Sequence, residues 1–310
     1  MIIKQADSKT KDLEALEQLL QWPDLAQQTR QNIEQQIRLI RAGIKGEAES
    51  AYQLQFHFGN HPDWVIINDL RLQYQGKVAQ IDHLLINRHL QIFVCESKRV
   101  AGSLIINELG EFSRMYKGKG QGMPSPLEQN QRHITLLSNL LQTNLIQLPS
   151  RFGWRLRPSM YSLILVSNDA YIRRPKISVP GLDEIIKNEQ LKTKVHQLSK
   201  SVGIFNFIRT ASCTSLQKFA RQLVQLHQPV QYDWLGYFGL NHLASKFAHL
   251  APEIQPQSQT ENQSQTASHY FCIACHKNIT ASAAYYCWNH KNIFGGKAYC
   301  YQCQQKIKQQ

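Results

Sequence analysis

The sequence predicts an α/β core, a mainly helical region behind it and a small cysteine-rich module at the C-terminus. Three observations predict this. Apolar residues recur at helical spacing through Ile33, Ile37, Ile40 and Ile44, and again through Ala51, Leu54 and Phe58. Three strand-like runs follow at about 64–72, 78–86 and 91–98, separated by Gln75-Gly76 and by Asn87-Arg88-His89, as in an antiparallel meander. Five of the seven cysteines then crowd together, at positions 272, 275, 287, 300 and 303.

Taken in order, a short helical pattern covers 12–22 and Pro23 interrupts it. The longer pattern after it is punctuated by Gly43 and Gly46, and the helix is expected to resume at Glu47. Beyond the meander, Leu104-Ile105-Ile106 reads as a short strand, and MYKGKGQGMPSP as a loop. Ser125-Pro126-Leu127-Glu128 has the form of a capping box with proline at the first helical position, opening a helix to about residue 143. SMYSLILVS, at 159–167, reads as a buried strand. After Pro175 the signals are mostly helical, at roughly 182–201, 213–228 and 238–249. Residues 251–268, rich in Gln, Ser, Thr and Pro, form a flexible linker to the module at 269–310.

Composition narrows the function classes. With 310 residues, 42% of them hydrophobic, the chain can bury a real core. A net charge of +13 favours an acidic partner, nucleic acid being the commonest, with an anionic membrane surface as the alternative. The first residues, MIIKQADSKTKDLEALEQ, lack a signal-peptide core, and no run approaches the roughly 20 apolar residues of a membrane span. A cytoplasmic protein with reduced thiols is expected, and there clustered cysteines point to a metal.

The charges inside the meander carry the chemistry. Alternation places Gln80, Asp82 and Leu84 on one face of their strand, and Val94, Glu96 and Lys98 on one face of the next. Glu47 precedes Ala51, Leu54 and Phe58 by four, seven and eleven residues, so it shares the helix stripe that packs on the sheet. Three converging acids repel one another and are costly to bury without a cation. Carboxylate oxygens suit Mg²⁺ or Mn²⁺. A Glu-x-Lys pair alone would be an ordinary solvated strand end, but the agreement of helix and both strands argues for a site.

The ordered set Gly43-Ile44-Lys45-Gly46-Glu47, Gln80-Ile81-Asp82-His83, Glu96-Ser97-Lys98, Gly102 and Pro126 through Gln129 resembles the nuclease-related domain of the PD-(D/E)xK nuclease superfamily. The resemblance spans roughly 40–167. It implies a PD-(D/E)xK restriction-endonuclease-like core of helix, three-stranded meander, helix and strand, which hydrolyses phosphodiesters with a divalent metal. By similarity Asp82 and Glu96 are the metal ligands, Lys98 the catalytic lysine, Glu47 an additional acid, and Gln129 a supporting polar residue, with Gln80 approaching from the same strand face. The sequence departs from the superfamily in having Ile81 where a proline usually precedes the aspartate, and Ser97 in the middle of the Glu-x-Lys motif. His83 alternates to the far face and is read as a core residue. His133, one turn after Gln129, is either structural or faces the site. The Lys117-Gly118-Lys119-Gly120 segment is either a phosphate grip or a surface loop.

Cys272-x2-Cys275 and Cys300-x2-Cys303 are paired knuckles, the donor set of a Cys₄ zinc site. Phe294-Gly295-Gly296-Lys297 supplies a hairpin turn between them. Cys287 and His290 offer a further pair that could replace a knuckle or bind a second metal with His276; the preferred reading is a buried cysteine in a strand and a surface histidine. The module has five lysines, Lys291 and Lys297 among them, and no Asp, Glu or Arg. With its many aromatic residues it is expected to bind nucleic acid, or else to dock protein. It resembles the zinc ribbons appended to topoisomerases.

The expected organisation is thus an N-terminal helical segment (1–42), the nuclease-related domain (43–167), an accessory region (168–250) and the linked ribbon. The accessory region completes the fold, dimerises or clamps substrate. The expected function is Mg²⁺- or Mn²⁺-dependent hydrolysis of nucleic acid, DNA first, with a DNA-processing protein or a second copy as further partners. The rival is a non-catalytic nucleic-acid-binding or assembly protein that keeps the same fold.

Overall fold

A computed structural model describes residues 1–116, 118–200, 210–244, 270–275, 277–279, 287–288 and 291–308. The chain divides into two compact units, Met1–Ile254 and Gln255–Gln310. In the first, β1 (Ile2–Lys4) and α1 (Thr10–Leu19) precede α2 (Gln27–Phe58). The meander follows as β2 (Trp64–Tyr74), β3 (Lys77–Asn87) and β4 (Gln91–Lys98). Gln75 and Gly76, with φ of 50° and 71°, make the tight turn between β2 and β3.

The strands β5 (Ser103–Ile106), β6 (Phe112–Tyr116) and β7 (Lys119–Met123) come next, then α3 (Pro126–Leu141). Ser125 caps α3 by accepting the Glu128 N–H at 3.2 Å. A two-residue-per-strand ribbon, β8 (Ser150–Arg151) and β9 (Trp154–Arg155), leads into β10 (Ser159–Val166). The unit is completed by β11 (Tyr171–Arg173), β12 (Ile185–Lys187), α4 (Leu191–Ser199), α5 (Cys213–Gln225) and α6 (Trp234–Tyr237).

The main sheet has the order β1-β2-β3-β4-β10-β12, antiparallel within the meander and parallel at both flanks. One face packs Leu84, Ile86, Ile92 and Val94 against Leu136, Leu137 and Leu140 of α3 and Phe219 and Leu223 of α5. The other packs Leu85, Phe93, Leu163 and Leu165 against Leu54 and Phe58 of α2 and Leu191 and Val195 of α4. The result is a mixed α/β unit with helices on both faces of the sheet. No helix among the described residues is long and apolar enough to cross a membrane.

Several expectations change. The helix bearing Glu47 is one element of 32 residues, not two. Gly46 does not break it but lets it approach the chain at Arg99, where an added Cβ would lie 2.9 Å from the Arg99 Cβ. Much of the expected loop MYKGKGQGMPSP, which begins at Met115, belongs to a hairpin of β6 paired with β7, in the four-stranded sheet β11-β5-β6-β7. The helix expected from 182 begins at Leu191, because Ile185 and Ile186 point to opposite faces and bury in two different cores, as a strand requires. Of the helix expected at 238–249, residues 238–244 form a turn and a short 3-10 stretch at Asn241–Leu243 instead, and the rest, like the linker at 251–268, lies outside the described residues.

The second unit holds β13 (Tyr270–Phe271), β14 (Asn278–Ile279), α7 (Lys291–Phe294) and α8 (Tyr301–Lys308). Gly295 and Gly296, both with positive φ, follow a helix rather than join two strands, and the second cysteine knuckle runs into α8.

Candidate active site and cysteine cluster

The site forms where the meander loses its regularity. The ladder between β3 and β4 runs from Ile86–Ile92 to His83–Cys95 and stops there. Beyond it Asp82 reaches across, its Oδ2 accepting the Ser97 N–H at 2.8 Å in place of a ladder carbonyl. On the neighbouring strand Asp69 adopts φ of 52°, and the ladder between β2 and β3 skips it. Both strands change face at this point: Ile67 and Leu70, and likewise Ile81 and Leu84, bury in the same core although their parity differs. The regular alternation that would put Gln80, Asp82 and Leu84 on one face therefore fails at Asp82.

Glu96 is the hub. Its Oε1 accepts from Lys98 Nζ and from Gln129 Nε2, each at 2.7 Å, and Lys98 also donates to Gln129 Oε1 at 3.1 Å. Gln129 and His133 come from the first two turns of α3, one turn apart on the face that looks at the sheet. Glu96 Oε2, by contrast, is buried with no hydrogen-bond partner, and so is His133 Nδ1. These two atoms lie 3.6 Å apart, beyond hydrogen-bonding distance. Burial, then Arg132 and Lys98, push the His133 ring down to about 4, so it is neutral at neutral pH and forms no ion pair with Glu96.

The carboxylates resist ionisation. Asp82 keeps a little solvent contact but is densely surrounded; burial, then Glu96 and Glu47, raise it well above the usual aspartate range. Burial raises Glu96 as well, against the Lys98 ammonium and the Gln129 amide. Burial and then Asp69 raise Glu47, against Lys9. Glu47 thus stands within electrostatic reach of Asp82, Glu96 and Lys98 from α2. The three acids do not close to within 4.8 Å of one another as a set. They fit a hard divalent cation that keeps part of its water shell, with the unpartnered Glu96 Oε2 as a ready ligand atom.

Two participants escaped the reading of the sequence. Asp69, 2% exposed, receives Gln80 Nε2 at 2.7 Å, the Asp7 N–H at 3.1 Å and Lys9 Nζ at 3.3 Å. Gln80 therefore meets this acid rather than Asp82. Lys9 arrives from the segment between β1 and α1; burial opposes its charge, but Asp69 and Glu47 outweigh that and raise it. The available signal was an acid inside the apolar run WVIINDLRL. His83 does turn away, bonding Asn68 Oδ1 at 2.8 Å and Ser97 Oγ at 3.0 Å. Lys119 is exposed on β7, and Lys117 lies outside the described residues.

In the second unit, the sulfurs of Cys272, Cys275, Cys300 and Cys303 all lie within 4.8 Å of one another, with Cys275 and Cys300 at 3.6 Å. All seven cysteines are free thiols. Burial works against Cys272, yet the backbone N–H groups of Cys300, Cys275 and Ala274 hold it down to about 6. The Cys300 thiol, with burial behind it, pushes Cys303 up to about 12. Four sulfurs sharing protons in this way suit a thiophilic cation with bonds of about 2.3 Å.

Cys287 stands apart, buried, receiving the Tyr299 N–H at 3.3 Å and Gln304 Nε2 at 3.2 Å. It lies in a helical turn, not a strand. His276 and His290 are outside the described residues, while Lys291 and Lys297 are exposed.

No curated protein and no solved structure matches the chain. Residues 42–165 match the family model of the nuclease-related domain, and the four-cysteine cluster at the C-terminus fits a zinc ribbon.

Proposed function

We propose that the first unit is a divalent-metal-dependent nuclease with a PD-(D/E)xK-type core, and that the zinc ribbon helps hold its nucleic-acid substrate, DNA first. The observation that carries this reading is the divided Glu96 carboxylate. One oxygen is saturated by Lys98 and Gln129 and the other is buried with no hydrogen-bond partner, while two further acids that resist ionisation stand within electrostatic reach of the carboxylate. Asp82 and Glu96 would hold Mg²⁺ or Mn²⁺, which supplies Lewis-acid polarisation of a phosphodiester and a more acidic water. Glu47 adds negative charge beside them.

The chain's own residues do the rest. Lys98, fixed between Glu96 and Gln129, presents an ammonium that orients the attacking water and offsets charge developing on the phosphate. Gln129 holds both Lys98 and Glu96 and so sets their spacing. Asp69, bound by three donors, fixes Gln80 and Lys9 at the rim. The ribbon, linked to the first unit, would raise the local concentration of substrate.

The test is cleavage of supercoiled, linear and single-stranded DNA with Mg²⁺, Mn²⁺ or no added divalent ion. Cutting by the wild type should depend on the ion and fall by at least about 10²–10³-fold in Lys98→Ala, and further in Asp82→Ala and Glu96→Ala. DNA binding without ion-dependent cutting, equal in all four proteins, would replace this reading with the non-catalytic one.

A further inference from the structure

We propose that the β8–β9 hairpin and the groove beside it form a binding site for single-stranded nucleic acid, separate from the carboxylate cluster. The hairpin is PSRFGWRLRP, residues 149–158. Its turn is Phe152-Gly153, with φ of 50° and 81°, so one aromatic residue lies in the turn and the other, Trp154, directly follows it. Phe152 is 75% exposed and Trp154 80% exposed. Two rings of this size, so exposed within three residues of each other, contribute little to the core and are open to a ligand.

The hairpin is also anchored. Leu156 buries in the core beneath it, and the Leu156 N–H donates to the Pro149 carbonyl at 2.9 Å. Arg151 donates to the Thr210 carbonyl at 3.0 Å while its guanidinium carbon sits 5.1 Å from the centre of the Phe152 ring. The rings are therefore presented on a braced support.

The hairpin adjoins a groove of about 950 Å³ against the C-terminal end of α3. Arg155 and Arg157 line it among amides and hydroxyls such as Gln142, Asn144 and Gln147, with no carboxylate in the lining. A cationic channel beside exposed aromatic rings is the arrangement that takes a phosphate backbone and its unpaired bases together. Bases within a duplex are already stacked on each other and cannot use the rings, which favours a single strand.

The site is distant from the chemistry. Ser159, just after the hairpin, pairs with Gln91, whereas Glu96 pairs with Ile164 five residues on, about 17 Å along the sheet. Binding here is thus independent of hydrolysis there, and can be measured without added divalent ion.

The experiment uses the full chain and a labelled dT20 oligonucleotide, with a 20-base-pair duplex and anionic phosphatidylglycerol vesicles as competitors. Phe152→Ala/Trp154→Ala should weaken dT20 binding about tenfold or more. Arg155→Gln/Arg157→Gln should weaken it and flatten the slope of log Kd against log salt by about 1.4. Trp154→Phe should keep the affinity while losing the fluorescence quench that dT20 causes in the wild type. All variants should melt as the wild type does, since the altered side chains are exposed. Unchanged dT20 affinity and quench in the first two variants would overturn the proposal. So would vesicle binding that these variants lose while dT20 binding stays intact. Loss of cleavage in Asp82→Ala with dT20 binding retained, or no cleavage by any form, leaves this site standing apart from the nuclease reading.

Discussion

A carboxylate stripped of water is held most easily as the neutral acid or beside a cation, and Glu47, Asp82 and Glu96 all show burial as the first cause of their raised values. Their folded values lie above the ordinary 3.8 and 4.5. The stability they contribute is therefore complete below those ordinary values and is lost as pH rises through the folded ones. Without divalent ion, Asp82→Asn should raise the melting temperature at pH 8, because the amide cannot ionise and still offers an oxygen to the Ser97 N–H. Mn²⁺ should raise the wild-type melting temperature and not that of the variant, measured by differential scanning fluorimetry. A wild type that Mn²⁺ leaves unmoved would argue against the metal ligands. His83 has the opposite sign: burial lowers it from 6.5 to about 4, so its contribution is present above about 6.5 and lost as pH falls toward 4. His83→Gln should flatten that acid limb by up to about 3 kcal/mol in urea titrations. Among these residues Asp82, Glu96 and Lys98 were readable because one interrupts an apolar strand and the other two close the strand paired with it. Asp69 was not, because one acid in a strand usually marks a solvated edge, and its partners come from some sixty residues away.

At the scale of elements, the change of face that creates the site leaves a trace in the pattern. Apolar residues at Val65 and Ile67 resume at Leu70 and Leu72, and those at Ala79 and Ile81 resume at Leu84 and Ile86, each pair of pairs three residues apart instead of two. Two adjacent strands with the same slip mark a shared irregularity, and Asp69 and Asp82 sit inside the two slips. The long helix was legible in its stripe but not in its continuity, because glycine lowers helix propensity wherever it stands. The two glycines answer different needs, and substitution separates them. Gly46→Ala places a Cβ 2.9 Å from the Arg99 side chain and should destabilise by about 1–3 kcal/mol, moving Glu47 with the helix. Gly43→Ala meets only Glu47 Oε1 at 3.8 Å and should stabilise by about 0.5–1 kcal/mol. Urea midpoints of the two variants check the pair; equal effects would mean that Gly46 is not there for close packing.

At the scale of the whole molecule, two units stabilised by different means share one chain. The first has extended apolar cores on both faces of its sheet, built from its own residues. The second, Gln255–Gln310, is of the size at which apolar burial gains most from a metal or a cross-link, and its described residues bury Cys272, Cys287, Phe294 and Gln304. Its four clustered sulfurs come from knuckles at either end of the module, so a bound ion would close the chain between them and supply folding energy directly. This much was visible from the cysteine spacing, because thiolate ligation depends on a few fixed residues; the helical setting of the second knuckle was not. The protein should therefore contain one zinc per chain by elemental analysis. A strong chelator, or Cys272→Ser with Cys303→Ser, should remove it and abolish one calorimetric transition while the larger one keeps its midpoint within about a degree. A single transition that collapses on zinc removal would show instead that the metal stabilises both units together.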